Sequence, residues 1–265
     1  VLGFLVSAAL VVSVRLPTTI PGPRRGIWDR TTRGTRIYLA TPRLRGLLAI
    51  SLAVSAAGAM VIVNTVVLVK ARFGLGEVEV ASALAAFGGG SMVAAFVLPS
   101  LLEKVADRTA MLTGATVLVV GTGIGALLPS YALLLPLWLI IGFGYSVAQT
   151  PSGRLLRRSA HAEDRPAIFA AHLALSHACW LICYPLAGRF GAVMGLPSTF
   201  IVMSLIGLAG VVLTLWLWPA SDPSDVAHDH PSLPPEHPHL RTHADRGKHH
   251  HQLIVDDQHR IWPKG

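Results

Sequence analysis

Charge is the scarcest property of this sequence. Only 14% of its 265 residues are Asp, Glu, Lys or Arg, while 52% are apolar. A water-soluble domain of this length needs far more charge to cover its surface, so a soluble enzyme is excluded. Cysteine is nearly absent. The two present, Cys179 and Cys183, lie four apart in one apolar segment; they make no disulfide framework and read as free thiols. Acid is short as well, with 14 Asp and Glu against 22 Lys and Arg, a net charge of +8. That excess does not point to nucleic acid, because the basic residues fall in loops between apolar blocks. There is no initial methionine, and neither the basic start nor the small-residue cleavage site of a signal peptide is present. Residues 1–14 would rise only about 21 Å as a helix, short of a hydrocarbon core about 30 Å thick. They read as the remnant of a preceding transmembrane helix, and the chain as a fragment.

What the sequence has in plenty is apolar blocks of about twenty residues, the length that crosses a bilayer as a helix. Six are predicted, over residues 46–69, 80–102, 110–128, 133–150, 166–187 and 198–218. They are continuously apolar rather than alternating, which excludes a transmembrane barrel. The expected fold is an all-α membrane protein, a six-transmembrane-helix bundle over residues 46–218 with the lipid bilayer as its surroundings. Residues 15–45 read as a basic linker, with eight arginines, the single acid Asp29 and four prolines; Pro and Gly at that density oppose regular structure. Clusters such as Gly88-Gly89-Gly90, Gly121-x-Gly123-x-Gly125, Gly142-x-Gly144 and Gly207-x-x-Gly210 allow helices to approach closely in lipid, which offers no hydrophobic drive of its own.

The loops alternate in charge. Residues 15–45, 103–109 and 151–165 hold fourteen Lys or Arg; residues 70–79, 129–132 and 188–197 hold three. Positive charge marks the cytoplasmic side, so a multi-pass inner-membrane protein with a cytoplasmic C-terminus is expected. Residues 219–265 form a tail of different composition, with nine histidines and six prolines between 221 and 265. It is expected to be disordered without a ligand. Its His228, His230, His237, His239, His249, His250 and His251 are ligands of borderline type, suited to Zn, Ni, Co or Cu. No resident cofactor is expected beyond a divalent metal ion held there.

Chemistry also sits in the spans. On the segment 166–187, His172, Ser176, Cys179 and Cys183 fall on one stripe at 100° per residue. The stripe is too long for one coordination sphere but suits a path. His177 points elsewhere, near Trp180 and Tyr184, close to the midplane. Imidazole in lipid is costly and marks a substrate or proton pathway.

The turn Glu103-Lys104-Val105-Ala106-Asp107-Arg108 between two spans resembles the loop between the second and third helices in each half of major facilitator superfamily transporters. Asp107 and Arg108 stand at that loop's Asp-Arg pair, while its leading glycine and following basic residues are missing. The basic linker, six spans and a cytoplasmic C-terminus resemble the same family over residues 1–219. The resemblance implies the second half of a twelve-helix transporter, not an enzyme, whose partner is the N-terminal half of the same transporter. It implies gating by Asp107 and Arg108, and a central cavity lined by the first and fourth helices, hence by Asn64, Tyr145 and Gln149. It further implies proton-coupled efflux of a small-molecule or metal-ion substrate. The tail is similar in composition to histidine-rich C-termini of nickel- and cobalt-resistance exporters, making a divalent transition metal the leading substrate. The alternatives are efflux of an organic compound or drug with an incidental tail, and a membrane-anchored metal sensor or buffer.

Overall fold

Proline and glycine set the helix boundaries in the computed structural model, which describes residues 2–14, 26–222, 225–228, 244–245, 248–252, 254–255 and 262. The helices are α1 (Leu2–Ser13), α2 (Ile27–Ala40), α3 (Pro42–Val67), α4 (Glu77–Leu102), α5 (Asp107–Gly125), α6 (Tyr131–Gln149), α7 (Ser152–Arg158), α8 (Arg165–Met194) and α9 (Leu196–Leu217). Prolines stand in the first turns of α3, α8 and α9, where the missing N–H would have had no intrahelical partner. A π-helical turn, Leu68–Arg72, extends α3. Gly195, at φ 78°, makes the turn from α8 into α9, a backbone conformation that disfavours any Cβ. Glu79 reaches back to accept from the Gly76 N–H at 2.9 Å, fixing the start of α4.

The six long helices α3, α4, α5, α6, α8 and α9 assemble as a bundle. Among the described residues, five spans are long and apolar enough to cross a membrane: Pro42–Arg72, Glu77–Leu102, Tyr131–Arg158, Arg165–Met194 and Leu196–Leu217. The sixth expected span falls on α5, which has 19 residues and is diluted by four threonines and four glycines. It packs between α6 and α9 all the same. α4 lies mainly on α6, and α3 mainly on α9 and α8. The core between them includes Leu47, Ile50, Val54, Met60, Trp138 and Phe200. Large apolar side chains such as Phe96, Leu181, Leu205 and Trp216 are exposed on the outside, as a lipid-facing surface requires.

Small residues replace side-chain packing where helices come closest. A Cβ on Gly90 would stand 1.9 Å from the Leu139 carbonyl oxygen, and one on Gly142 would stand 1.9 Å from that of Phe87. α4 and α6 therefore touch backbone to backbone, and Ser91 donates across the seam to the Gly142 carbonyl at 2.9 Å.

Two stretches differ from the sequence expectation. Residues 27–40 are helical, because the prolines of the linker fall before and after them, and this helix lies along α8. In the tail, where irregular chain is expected, the described residues include three short strands, β1 (Asp225–His228), β2 (Ala244–Asp245) and β3 (Lys248–Gln252). They pair antiparallel in the order β1-β3-β2, with His228 opposite His249 and Ala227 opposite His250.

Candidate functional site

α8 carries polar groups along one side because its residues recur every four positions: His172, Ser176, Trp180 and Tyr184, with Phe169, Leu173 and His177 alongside. This side faces Tyr145 and Gln149 of α6 and Ile62 of α3, and together they line a cavity of about 700 Å³. Such a volume suits a small solute. The lining mixes aromatic faces with a few polar groups, two of them imidazoles.

Each polar group is held differently. His177 Nδ1 lies 2.8 Å from the Leu173 carbonyl oxygen. A carbonyl only accepts, so in this contact Nδ1 carries the hydrogen and Nε2 of the neutral ring is left as the acceptor. His172 Nδ1 lies 3.0 Å from the Tyr38 hydroxyl, and the two rings stack with centroids 5.9 Å apart. Tyr38 belongs to α2 and is fully buried; burial, with the Cys179 thiol nearby, pushes its phenol well above the ordinary value. It therefore stays neutral beside His172 at any working pH. Tyr145 meets Phe87 edge to face at 5.5 Å. Trp180 tilts onto Tyr184 at 5.0 Å and owes its place to Gly58, where a Cβ would stand 2.2 Å from the indole.

His172, His177, Tyr145 and Gln149 thus line one cavity, where His177 stands with Trp180 and Tyr184. Three other expected pathway residues lie off the lining. Asn64 is buried and donates from Nδ2 to the Ala187 carbonyl at 3.2 Å, so its amide ties α3 to α8. Cys183 is buried with its Sγ 3.4 Å from Ser55 Oγ on α3, and Cys179 is half-buried. Sequence reasoning did not single out Phe169, Trp180 and Tyr184 as site residues; their four-residue spacing from His172 and His177 was the available signal.

The expected Asp107–Arg108 gate is also rearranged. Asp107, in the first turn of α5, accepts from Arg154 of α7, with Nε to Oδ1 at 2.9 Å and a further ion pair through Nη2. Arg108 instead donates from Nε to the Trp218 carbonyl at 2.9 Å. Neighbours in sequence at a helix start point in different directions, so each finds its partner on another helix. A second pair, Arg33 of α2 with Asp164 at the start of α8, is buried and two-pronged, at 2.5 and 2.8 Å.

Of the tail ligands, His230, His237 and His239 lie outside the described residues, and only the backbone register of His228, His249, His250 and His251 is described. Among the described residues no three His, Cys, Asp or Glu side chains gather in a way that could hold a metal ion.

A family model described as Major Facilitator Superfamily matches residues 48–246. No curated protein matches the chain.

Proposed function

Since the chain belongs to the major facilitator superfamily and is a multi-pass membrane transport protein, we propose that it expels a small organic solute in exchange for protons, through the cavity between α6 and α8. The observation that carries this reading is the lining itself. Trp180, Tyr184, Tyr145 and Phe169 offer aromatic faces to an organic body, and His172, His177, Gln149 and Ser176 offer the few polar groups that fix orientation. His177, with Nε2 free to accept, is the group we assign to proton coupling. Asp107 with Arg154, rather than with Arg108, is the pair we assign to gating, since a charge-assisted contact between helix ends can open and close as a unit.

A second reading, export of a divalent transition metal, is favoured by the tail, whose register sets His228 opposite His249. In that reading the tail collects the ion and the cavity imidazoles pass it on. The inner membrane as location and the cytoplasm as the side of the tail follow from the charge of the loops.

One experiment separates the readings. Everted membrane vesicles from cells expressing the transporter are acidified inside, and a panel of organic cations, drugs and divalent metals is added in turn. Dissipation of the proton gradient by organic solutes alone supports the first reading; dissipation by Ni, Co or Zn alone moves the assignment to the second. A gradient untouched by every member of the panel in well-expressed protein counts against proton-coupled export.

A further inference from the structure

Arg43 is among the largest fully buried side chains of the protein, 1% exposed, and it sits in the first turn of α3. Among the described residues none of its three guanidinium nitrogens has a hydrogen-bond partner. The nearest carboxylate, Asp222, lies 3.6 Å from Nε, beyond hydrogen-bond range, and is already taken by Arg158, which pairs with its other oxygen. The Trp262 ring covers the guanidinium at 4.9 Å, a cation–π contact that supplies no acceptor. One turn along α3, Gly46 lies against Trp218, which is itself fully buried with its indole N–H unpartnered. Among the described residues the Arg43 guanidinium and the Trp218 indole thus bring donors together without acceptors, and Arg43 and Arg158 both face the Asp222 carboxylate. A buried guanidinium left in that state is costly; a group with several anionic oxygens would satisfy it.

We propose that Arg43, Arg158 and the indole N–H of Trp218 form an anion site for a phosphate group, where α3 begins and α9 ends, and that Asp222 and Trp262 of the tail close over it. Inorganic phosphate carries four oxygens and up to two charges near neutral pH, and a phosphodiester headgroup two free oxygens and one charge; either can accept from both guanidiniums at once. Asp222 is then the intramolecular competitor. It holds φ 30°, a backbone conformation that Asp tolerates better than most side chains, and so keeps its carboxylate between the two arginines. The phosphate can be free in solution or borne by a phospholipid headgroup; the chemistry at the arginines is the same.

The test uses the purified chain, tail included, in dodecylmaltoside micelles, which carry no phosphate. The melting temperature is followed against inorganic phosphate, and separately with phosphatidylglycerol added to the micelles. The wild type gains stability with one or both. A gain with inorganic phosphate assigns a soluble anion, and a gain with phosphatidylglycerol alone assigns a headgroup. Arg43→Gln removes the gain, and Asp222→Asn reaches it at about tenfold lower anion, as expected when a competing carboxylate is lost. Absence of any gain in the wild type, or the same gain in Arg43→Gln, overturns the proposal. Should Arg43→Gln fail to fold, Asp222→Asn decides alone: an unchanged or weaker response overturns it.

Discussion

His177 shows how far a single side chain can be argued. Its backbone contact to Leu173 fixes the tautomer and leaves Nε2 for the cavity. If it carries coupling, His177→Ala brings transport to background while membrane protein level stays near normal, and His172→Ala does less harm. If it only packs, His177→Ala lowers the protein level and His177→Gln restores both level and transport. Full transport by normally expressed His177→Ala would take the residue off the pathway. At this scale the sequence named the imidazoles and Tyr145 with Gln149, because polar groups in apolar segments stand out. It did not show that Arg154 pairs with Asp107 or that Tyr38 meets His172, since those partners are 47 and 134 residues apart and nothing local links them.

Among the elements, α2 departs furthest from what its composition predicts. Prolines near residues 17–23 hide a helix whose buried side holds Arg33, Gly34, Ile37 and Tyr38. That side seats on α8 by three means: the Arg33–Asp164 pair, the Tyr38–His172 contact, and a backbone approach at Gly34. A Cβ at Gly34 would stand 2.1 Å from the Ala167 carbonyl oxygen, so any larger residue must lift the helix. Gly34→Val is therefore expected to undock α2. Asp164→Asn strips the carboxylate from a guanidinium that is 6% exposed, a change that costs about 3–5 kcal/mol when a buried pair is broken. Both variants should melt several degrees below the wild type in detergent, with faster proteolysis between residues 26 and 41. Unchanged melting and proteolysis in both would mean that α2 is not seated on α8. The transmembrane helices, by contrast, were legible because lipid demands long unbroken apolar runs; α2 answers to a protein surface, and tertiary contacts decide it.

For the molecule as a whole, the charge of the loops makes a directional statement. In the proposed orientation the loops with fourteen basic residues, against three on the other set, face the cytoplasm, and the Arg33, Asp107 and Asp222 pairs lie on that side. A cysteine placed at Ser232 should react with a membrane-impermeant reagent only after cells are opened; labelling in intact cells would invert the assignment. The bundle was legible to within a few residues at most helix ends, and the cavity was not, because a cavity is a relation between helices. The backbone contacts of Gly90 with Leu139 and of Gly142 with Phe87 have a mechanical consequence for that cavity. Two rods touching main chain to main chain share one degree of freedom, so α4 and α6 swing as a single lever and carry Tyr145 and Gln149 with them. The opposite wall, with His172 and His177, rides on α8, which is moored to α3 by the yielding side-chain contacts of Asn64 and Ser55. Changes in cavity shape then fall to α8 swinging against a stiff block, and the imidazoles are the groups that travel.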